Sequence, residues 1–260
     1  MKNKKLFLLD MDGTIYLDND LFDGTKDFLE YVKKIGGKYM FLTNNSSKSV
    51  DKYIEKMASL GIETTSDDFL TSTDATILVL NKRKYKKIYA LGTASFKEQL
   101  SAAGLPVTDK LEDGIDCLLM GFDTELTFKK LEDACILLGK PVDYIATNPD
   151  RVCPTWYGYV PDCGSVSTML YNATKRMPEF IGKPQPTMAL VAMEKNGFSK
   201  EETVLIGDRV YTDIACGVNA GITSVLVLSG EATMKDVEES DVKPTLIYKN
   251  IREIYNELNS

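Results

Sequence analysis

The sequence predicts an α/β protein: a Rossmann-like parallel sheet core with helices on both faces, carrying an inserted α/β cap domain. Three observations predict it. Short, wholly apolar runs recur, of the kind buried on both faces of a parallel sheet. Stretches of helical periodicity lie between them. The alternation restarts near residue 81 and returns to apolar runs beyond residue 200. The core is therefore expected to be discontinuous, 1–78 plus 178–260, with 79–177 as the insert.

The elements follow in order. Leu6-Phe7-Leu8-Leu9 is the first strand. Phe28, Leu29, Val32 and Ile35 share a helical stripe over 27–35, and Gly36-Gly37 end it. Tyr39-Met40-Phe41-Leu42 is the second strand. A helix starts near Ser49, with Val50, Tyr53, Ile54, Met57 and Leu60 on one face and Gly61 as its C-terminal cap. In the insert, 88–91, 117–120 and 144–147 read as strands, and 95–103 and 127–138 as helices. After the chain returns to the core, 203–206 and 224–228 read as strands around a short helix over 212–220.

Composition narrows the function. Hydrophobic residues make up 43% and charged residues 27%, which is ordinary for a globular protein. Histidine is absent, so Ser-His-Asp triads, Cys-His dyads and His-metal centres are excluded together. Acid–base chemistry falls to Asp, Glu, Lys, Tyr or Cys. A net charge of -7 disfavours nucleic-acid partners. The five cysteines include no C-x-x-C pair, which fits reduced thiols in the cytoplasm. Lys2, Lys4 and Lys5 precede Leu6–Leu9 as in a signal peptide, but Asp10 ends the apolar run too early for an h-region of ~7–15 residues. No apolar run approaches the ~20 residues that span a bilayer, so no membrane role is expected.

Four loops carry chemistry. Asp10-Met11-Asp12-Gly13-Thr14 follows the first strand and Thr43-Asn44-Asn45-Ser46-Ser47 the second. Gly182-Lys183-Pro184 follows the insert. Gly207-Asp208-Arg209 follows the 203–206 strand, with Asp213 a few residues on. In an open parallel sheet, ligands bind at the carboxyl ends of the strands. These loops would converge there as several carboxylates, one ammonium and one hydroxyl. Crowded carboxylates repel unless a cation sits between them. All-oxygen ligation selects a hard ion, Mg²⁺ first, and Mg²⁺ favours substrate phosphates in its remaining positions. Lys183, Thr43 and nearby backbone N–H groups suit the other phosphate oxygens, with Asn44 beside Thr43 in the same loop. A carboxylate next to phosphorus is then a nucleophile. The residues thus point to metal-assisted phosphoryl transfer through an aspartyl phosphate.

Each loop also has a plainer reading. Asp10–Thr14 alone is turn-like, and it lacks the later residues of a calcium loop. The polar 43–47 run alone caps a helix, and a lone lysine is usually solvated. Cys153 and Cys163 read as inert, having no histidine to activate them. Trp156, Tyr157 and Tyr159 suit either a substrate platform or packing. The order of all four loops, each behind a strand or a likely strand, favours the site.

The constellation resembles the haloacid dehalogenase superfamily, whose four motifs these loops match in order. The insert lies where that superfamily's class II cap lies. Thr147-Asn148-Pro149-Asp150 and the 161–165 loop are similar to cap segments of its p-nitrophenylphosphatase-like, or N-acetylglucosamine-operon-phosphatase-like, branch. The resemblance implies that Asp10 attacks phosphorus, and that Asp12 protonates the leaving oxygen and then activates water. It implies that Thr43 and Lys183 bind the phosphoryl group. It also implies Mg²⁺ on the Asp10 carboxylate, the Asp12 carbonyl and Asp208, with Asp213 behind these ligands or paired with Lys183. Haloacid dehalogenases proper attack carbon and lack the second acid; Asp12 favours phosphate chemistry.

The expected protein is a cytoplasmic Mg²⁺-dependent phosphatase of small phosphorylated metabolites, with a cap that chooses among them; a homodimer stays open. Nucleotides, sugar phosphates, phosphoglycolate-like acids and pyridoxal phosphate all stay open as substrates. A phosphomutase, a phospho-receiver domain and a catalytically silent phosphometabolite-binding protein are the alternatives. The cap loop departs from its branch at Asp162, where many members have Gly. Asp162 suits two roles, contact with the substrate or capping of the helix that follows.

Overall fold

The structure is a computed structural model and describes residues 1–155 and 157–260. Trp156, named above, lies outside the described residues. The chain divides into two compact units. One comprises Met1–Thr43, Val50–Leu70 and Lys183–Ser260; the other comprises Asn44–Ser49 and Thr71–Gly182.

The first unit is built on a six-stranded sheet. Its strands run in the order Leu246–Tyr248, Thr223–Val227, Thr203–Gly207, Leu6–Leu9, Lys38–Thr43, Phe69–Thr71. The pairs joining the first five of these are parallel. Period-2 alternation sends Phe7, Leu9, Phe41, Val204, Ile206, Val225 and Val227 into one buried cluster. That cluster receives Phe28 and Val32 of helix Thr25–Lys34, and Ile251 and Ile254 of helix Ile251–Leu258. The Phe7 and Phe28 rings meet edge-on, 5.4 Å between centroids. Leu226 points the other way, into a cluster with Val210, Ile214 and Val237. Helices thus cover both faces, as the sequence predicts. A small hairpin, Tyr16–Leu17 with Asp20–Leu21, follows the first strand and was not foreseen. Its two-residue strands are too short to show an alternating pattern.

The second unit holds a five-stranded parallel sheet in the order Glu179–Phe180, Asp143–Ala146, Cys117–Met120, Ile88–Leu91, Val107–Thr108. An antiparallel hairpin, Val152–Thr155 with Gly158–Pro161, lies outside it. Helices Phe128–Leu138 and Cys163–Thr174 contribute Ala134, Leu137, Val166 and Leu170 to its core.

This unit reaches beyond 79–177 at both ends. Residue 79 falls inside helix Ser72–Arg83. Thr71 caps that helix, and its Ser72 hydroxyl donates to the Asn44 carbonyl at 2.6 Å, tying the helix to the second unit. At the other end, Glu179–Phe180 pairs with Asp143–Ala146 as an edge strand. Among the described residues, no helix is long and apolar enough to cross a membrane.

Candidate active site

Backbone pairing sets the first two acids side by side. Leu9 is in register with Ile206, and the Asp10 N–H extends the ladder by donating to the Ile206 carbonyl at 2.9 Å. Asp10 and Asp208 therefore leave adjacent parallel strands at the same carboxyl edge. Thr43 ends the strand on the other side of Leu6–Leu9, and is buried there.

Lys183 joins these strands. Its ammonium donates to Asp10 Oδ1 at 2.5 Å, Asp213 Oδ1 at 2.7 Å and the Leu42 carbonyl at 3.2 Å. Three acceptors use all three donors of an ammonium. Asp213 is equally committed, because its Oδ2 accepts the Arg209 N–H at 3.1 Å. The helix expected over 212–220 begins as a π-helical turn, Val210–Ile214, before helix Ala215–Ala220. The Arg209 carbonyl accepts from both Asp213 and Ile214, and this wide turn delivers Asp213 to Lys183.

One carboxylate oxygen from each of Asp10, Asp208 and Asp213 lies within 4.8 Å of the others. Asp208 Oδ2 accepts the Glu231 N–H at 2.7 Å, whereas its Oδ1 is buried with no hydrogen-bond partner. A buried anionic oxygen left unpaired is costly unless something else binds it. Burial, reinforced by Asp213, pushes the Asp208 carboxyl up to about 7, against the Glu231 N–H and Arg209. Burial likewise raises Asp10, with Asp213 and Asp208 adding to it and Lys183 opposing. Burial works against the Lys183 charge, but Asp10 and Asp213 outweigh it and hold the ammonium charged. Three carboxylates against one ammonium leave the cluster two positive charges short. An orphaned oxygen and an all-oxygen donor set fit a hard divalent cation, held by Asp10 and Asp208.

Asp12 is exposed, two residues past Asp10, and its backbone bridges to Tyr16. Burial above all, and then the Asp12 carboxylate, raises the pKa of the Tyr16 phenol. Lys56 caps the Tyr16 ring face at 3.9 Å.

The remaining candidates lie in the second unit. Asn44 is buried there and donates to Asp150 Oδ1 at 3.2 Å. Asp162 caps helix Cys163–Thr174, its Oδ1 accepting the Cys163 N–H at 2.5 Å, and only 3% of it is exposed. The helix cap, one of its two expected roles, is present. Tyr157 and Tyr159 are exposed on the hairpin.

The sequence reading passed over the loop after strand Thr223–Val227, whose Ser229, Gly230 and Glu231 touch the site. Ser229 Oγ donates to the Gly13 carbonyl at 2.7 Å. The signal was there: this loop too leaves a parallel strand at the carboxyl edge, and it carries Gly next to Glu.

A lysine-bridged acid cluster at the carboxyl ends of a parallel sheet defines an α/β enzyme of the phosphoryl-transfer kind. The relatives agree. Residues 7–106 match the family model for haloacid dehalogenase-like hydrolases, and residues 180–254 match a second, HAD-hydrolase-like model. The chain is 33% identical over 259 residues to an acid sugar phosphatase of Staphylococcus aureus, covering 99% of each chain. The solved 4-nitrophenylphosphatase of Thermotoga maritima superposes with a TM-score of 0.93 at 40% identity, covering 99% of this chain and 98% of that one. A glycerol phosphate phosphatase of Mycobacterium tuberculosis, solved with magnesium, superposes with a TM-score of 0.90 at 27% identity, covering 97% and 76%. The chain belongs to the haloacid dehalogenase-like hydrolase family, and as an enzyme it is a phosphoric monoester hydrolase.

Proposed function

We propose that the protein is a cytoplasmic, Mg²⁺-dependent phosphatase of small hydroxylated phosphate monoesters, acting through an aspartyl phosphate on Asp10. The observation that carries this reading is the site's unbalanced charge: Lys183 spans Asp10 and Asp213 while a buried Asp208 oxygen has no partner. The names of the relatives support the substrate class, since they act on sugar, nitrophenyl and glycerol phosphates. Five cysteines outside any disulfide agree with the compartment.

Asp10 and Asp208 would hold Mg²⁺ with the Asp12 carbonyl. The ion would supply charge neutralisation for the phosphoryl oxygens. Lys183 and Thr43 orient the phosphoryl group, with Asn44 proposed alongside, and Asp213 keeps the ammonium in place. A carboxylate oxygen of Asp10 forms a bond to phosphorus as the ester P–O bond breaks. Asp12 gives its proton to the departing alkoxide. Asp12 then takes a proton from water, and the water oxygen bonds to phosphorus. The Asp10 acyl phosphate opens, releasing inorganic phosphate and restoring the carboxylate.

Two measurements test this. A panel of phosphate monoesters with Mg²⁺, scored by kcat/KM, should place sugar and polyol phosphates above nucleotides. Acid quenching during turnover of a labelled substrate should leave label on the peptide that carries Asp10. Label on another residue, or transfer to a second hydroxyl in place of water, would refute the mechanism.

A further inference from the structure

The carboxylate of Asp208 has one oxygen restrained and one left over, and the restraint comes from the loop after strand Thr223–Val227. The Glu231 N–H donates to Asp208 Oδ2 at 2.7 Å, and the Ala232 N–H donates to the Asp208 carbonyl at 3.1 Å. Glycine is required at two positions beside it. A Cβ on Gly230 would stand 2.0 Å from Asp208 Oδ2, and one on Gly13 would stand 2.4 Å from the same atom. The two glycines leave the space in which Oδ2 takes the Glu231 N–H, and Oδ1 is the oxygen left for a ligand.

The side chain of Glu231 ties that loop down. Its Oε2 lies 2.8 Å from Arg209 Nε, an ion pair outside hydrogen-bond geometry, and its Oε1 accepts the Tyr211 hydroxyl at 2.9 Å. Arg209 directly follows Asp208 in the chain, so the contacts close a ring. The ring runs from the Asp208 carboxylate to the Glu231 N–H, along Glu231 to its own carboxylate, across to the Arg209 guanidinium, and back through one peptide bond. A half-exposed ion pair is worth little by itself. Here it has a second consequence, because it decides where a buried backbone donor sits relative to Asp208.

We propose that Glu231, held by Arg209 and Tyr211, is a positioning residue for divalent-cation binding, through its own backbone N–H on Asp208. The proposal rests on the reading of the acid cluster as a Mg²⁺ site. Glu231 itself touches neither ion nor substrate. Without its carboxylate anchor the 229–232 loop loosens, and Asp208 spreads over rotamers that do not present Oδ1.

The test is Mg²⁺ calorimetry on the phosphate-free protein, with metal-free melting temperatures measured in parallel. Partners that orient metal ligands typically affect affinity by about 10–100-fold, so Glu231→Ala should weaken Mg²⁺ by about tenfold or more. Glu231→Gln, which keeps one acceptor, should recover part of that loss. The metal-free melting temperature should stay near wild type in both, which a merely structural role would not allow. Tyr211→Phe removes one anchor only and should weaken Mg²⁺ by a few-fold. It carries the test if Glu231→Ala does not fold, and an unchanged affinity there would then overturn the proposal. Wild-type affinity in a folded Glu231→Ala, with Asp208→Asn losing the ion, overturns this inference and spares the metal site. No Mg²⁺ binding by wild type, or none lost in Asp208→Asn, overturns both.

Discussion

Lys183 and Asp213 form an ion pair at 2.7 Å with side chains only 3% and 1% exposed. Buried pairs are tolerated when their remaining hydrogen-bonding groups are met, and here they are. Lys183 also serves Asp10 and the Leu42 carbonyl, and Asp213 also takes the Arg209 N–H. Removing one partner leaves the other charge under-compensated. Asp213→Ala should therefore cost about 3–5 kcal/mol in urea unfolding. Asp213→Asn, which still accepts from the Arg209 N–H, should cost less. An unshifted Asp213→Ala midpoint would show that the pair does not hold the site together.

Asp10→Asn should reduce turnover by at least ~10³-fold while leaving the fold intact, because an amide oxygen is a poor nucleophile. Steady-state assay and a melting curve of the same preparation check both halves. Retention of most activity would exclude Asp10 as the nucleophile.

Asp12→Asn should slow hydrolysis of alkyl phosphates by ~10²–10⁴-fold, the usual worth of a general acid–base group. The loss should shrink for p-nitrophenyl phosphate, whose leaving group needs little protonation. Comparing kcat/KM for activated and alkyl esters reads this out. Equal losses on both would count against proton donation to the leaving oxygen.

Asp162→Ala should cost about 0.5–2 kcal/mol by removing the cap of helix Cys163–Thr174, and Asp162→Asn only a few tenths. The preference between anionic and neutral phosphomonoesters should not change in Asp162→Asn, because the side chain is buried against its own helix. A several-fold change in that ratio would restore the substrate-contact role.

Thiol chemistry should be confined to two positions. Burial pushes the Cys216 thiol up to about 12 and raises Cys117 and Cys163 as well. A raised thiol pKa means less of the reactive thiolate at any given pH, so near pH ~8 these three stay protonated as well as enclosed. A thiol reagent should therefore modify at most the half-buried Cys135 and Cys153 in native protein, and all five cysteines in denaturant. Fast labelling of a third native thiol would contradict this.

The sequence by itself determined the sheet strands that carry the site and the loops behind them. Leu6–Leu9 and Thr203–Gly207 are short apolar runs, and burial on both faces leaves such runs few alternatives. With the strands known, parallel topology sends Asp10 and Asp208 to one edge. Three kinds of feature needed the tertiary structure. The cap's edge strand Glu179–Phe180 is two residues long, and only pairing with Asp143–Ala146 makes it a strand. Asp162 had two roles in sequence, and only the fold shows its oxygen on the Cys163 N–H at the helix start. Glu231 lies 23 residues after Asp208, and nothing local announces that its N–H restrains that carboxylate. The physical reason is common to all three. Burial periodicity and turn chemistry are local properties of a chain, whereas an edge pairing, a buried cap and a restrained carboxylate oxygen exist only when distant segments meet.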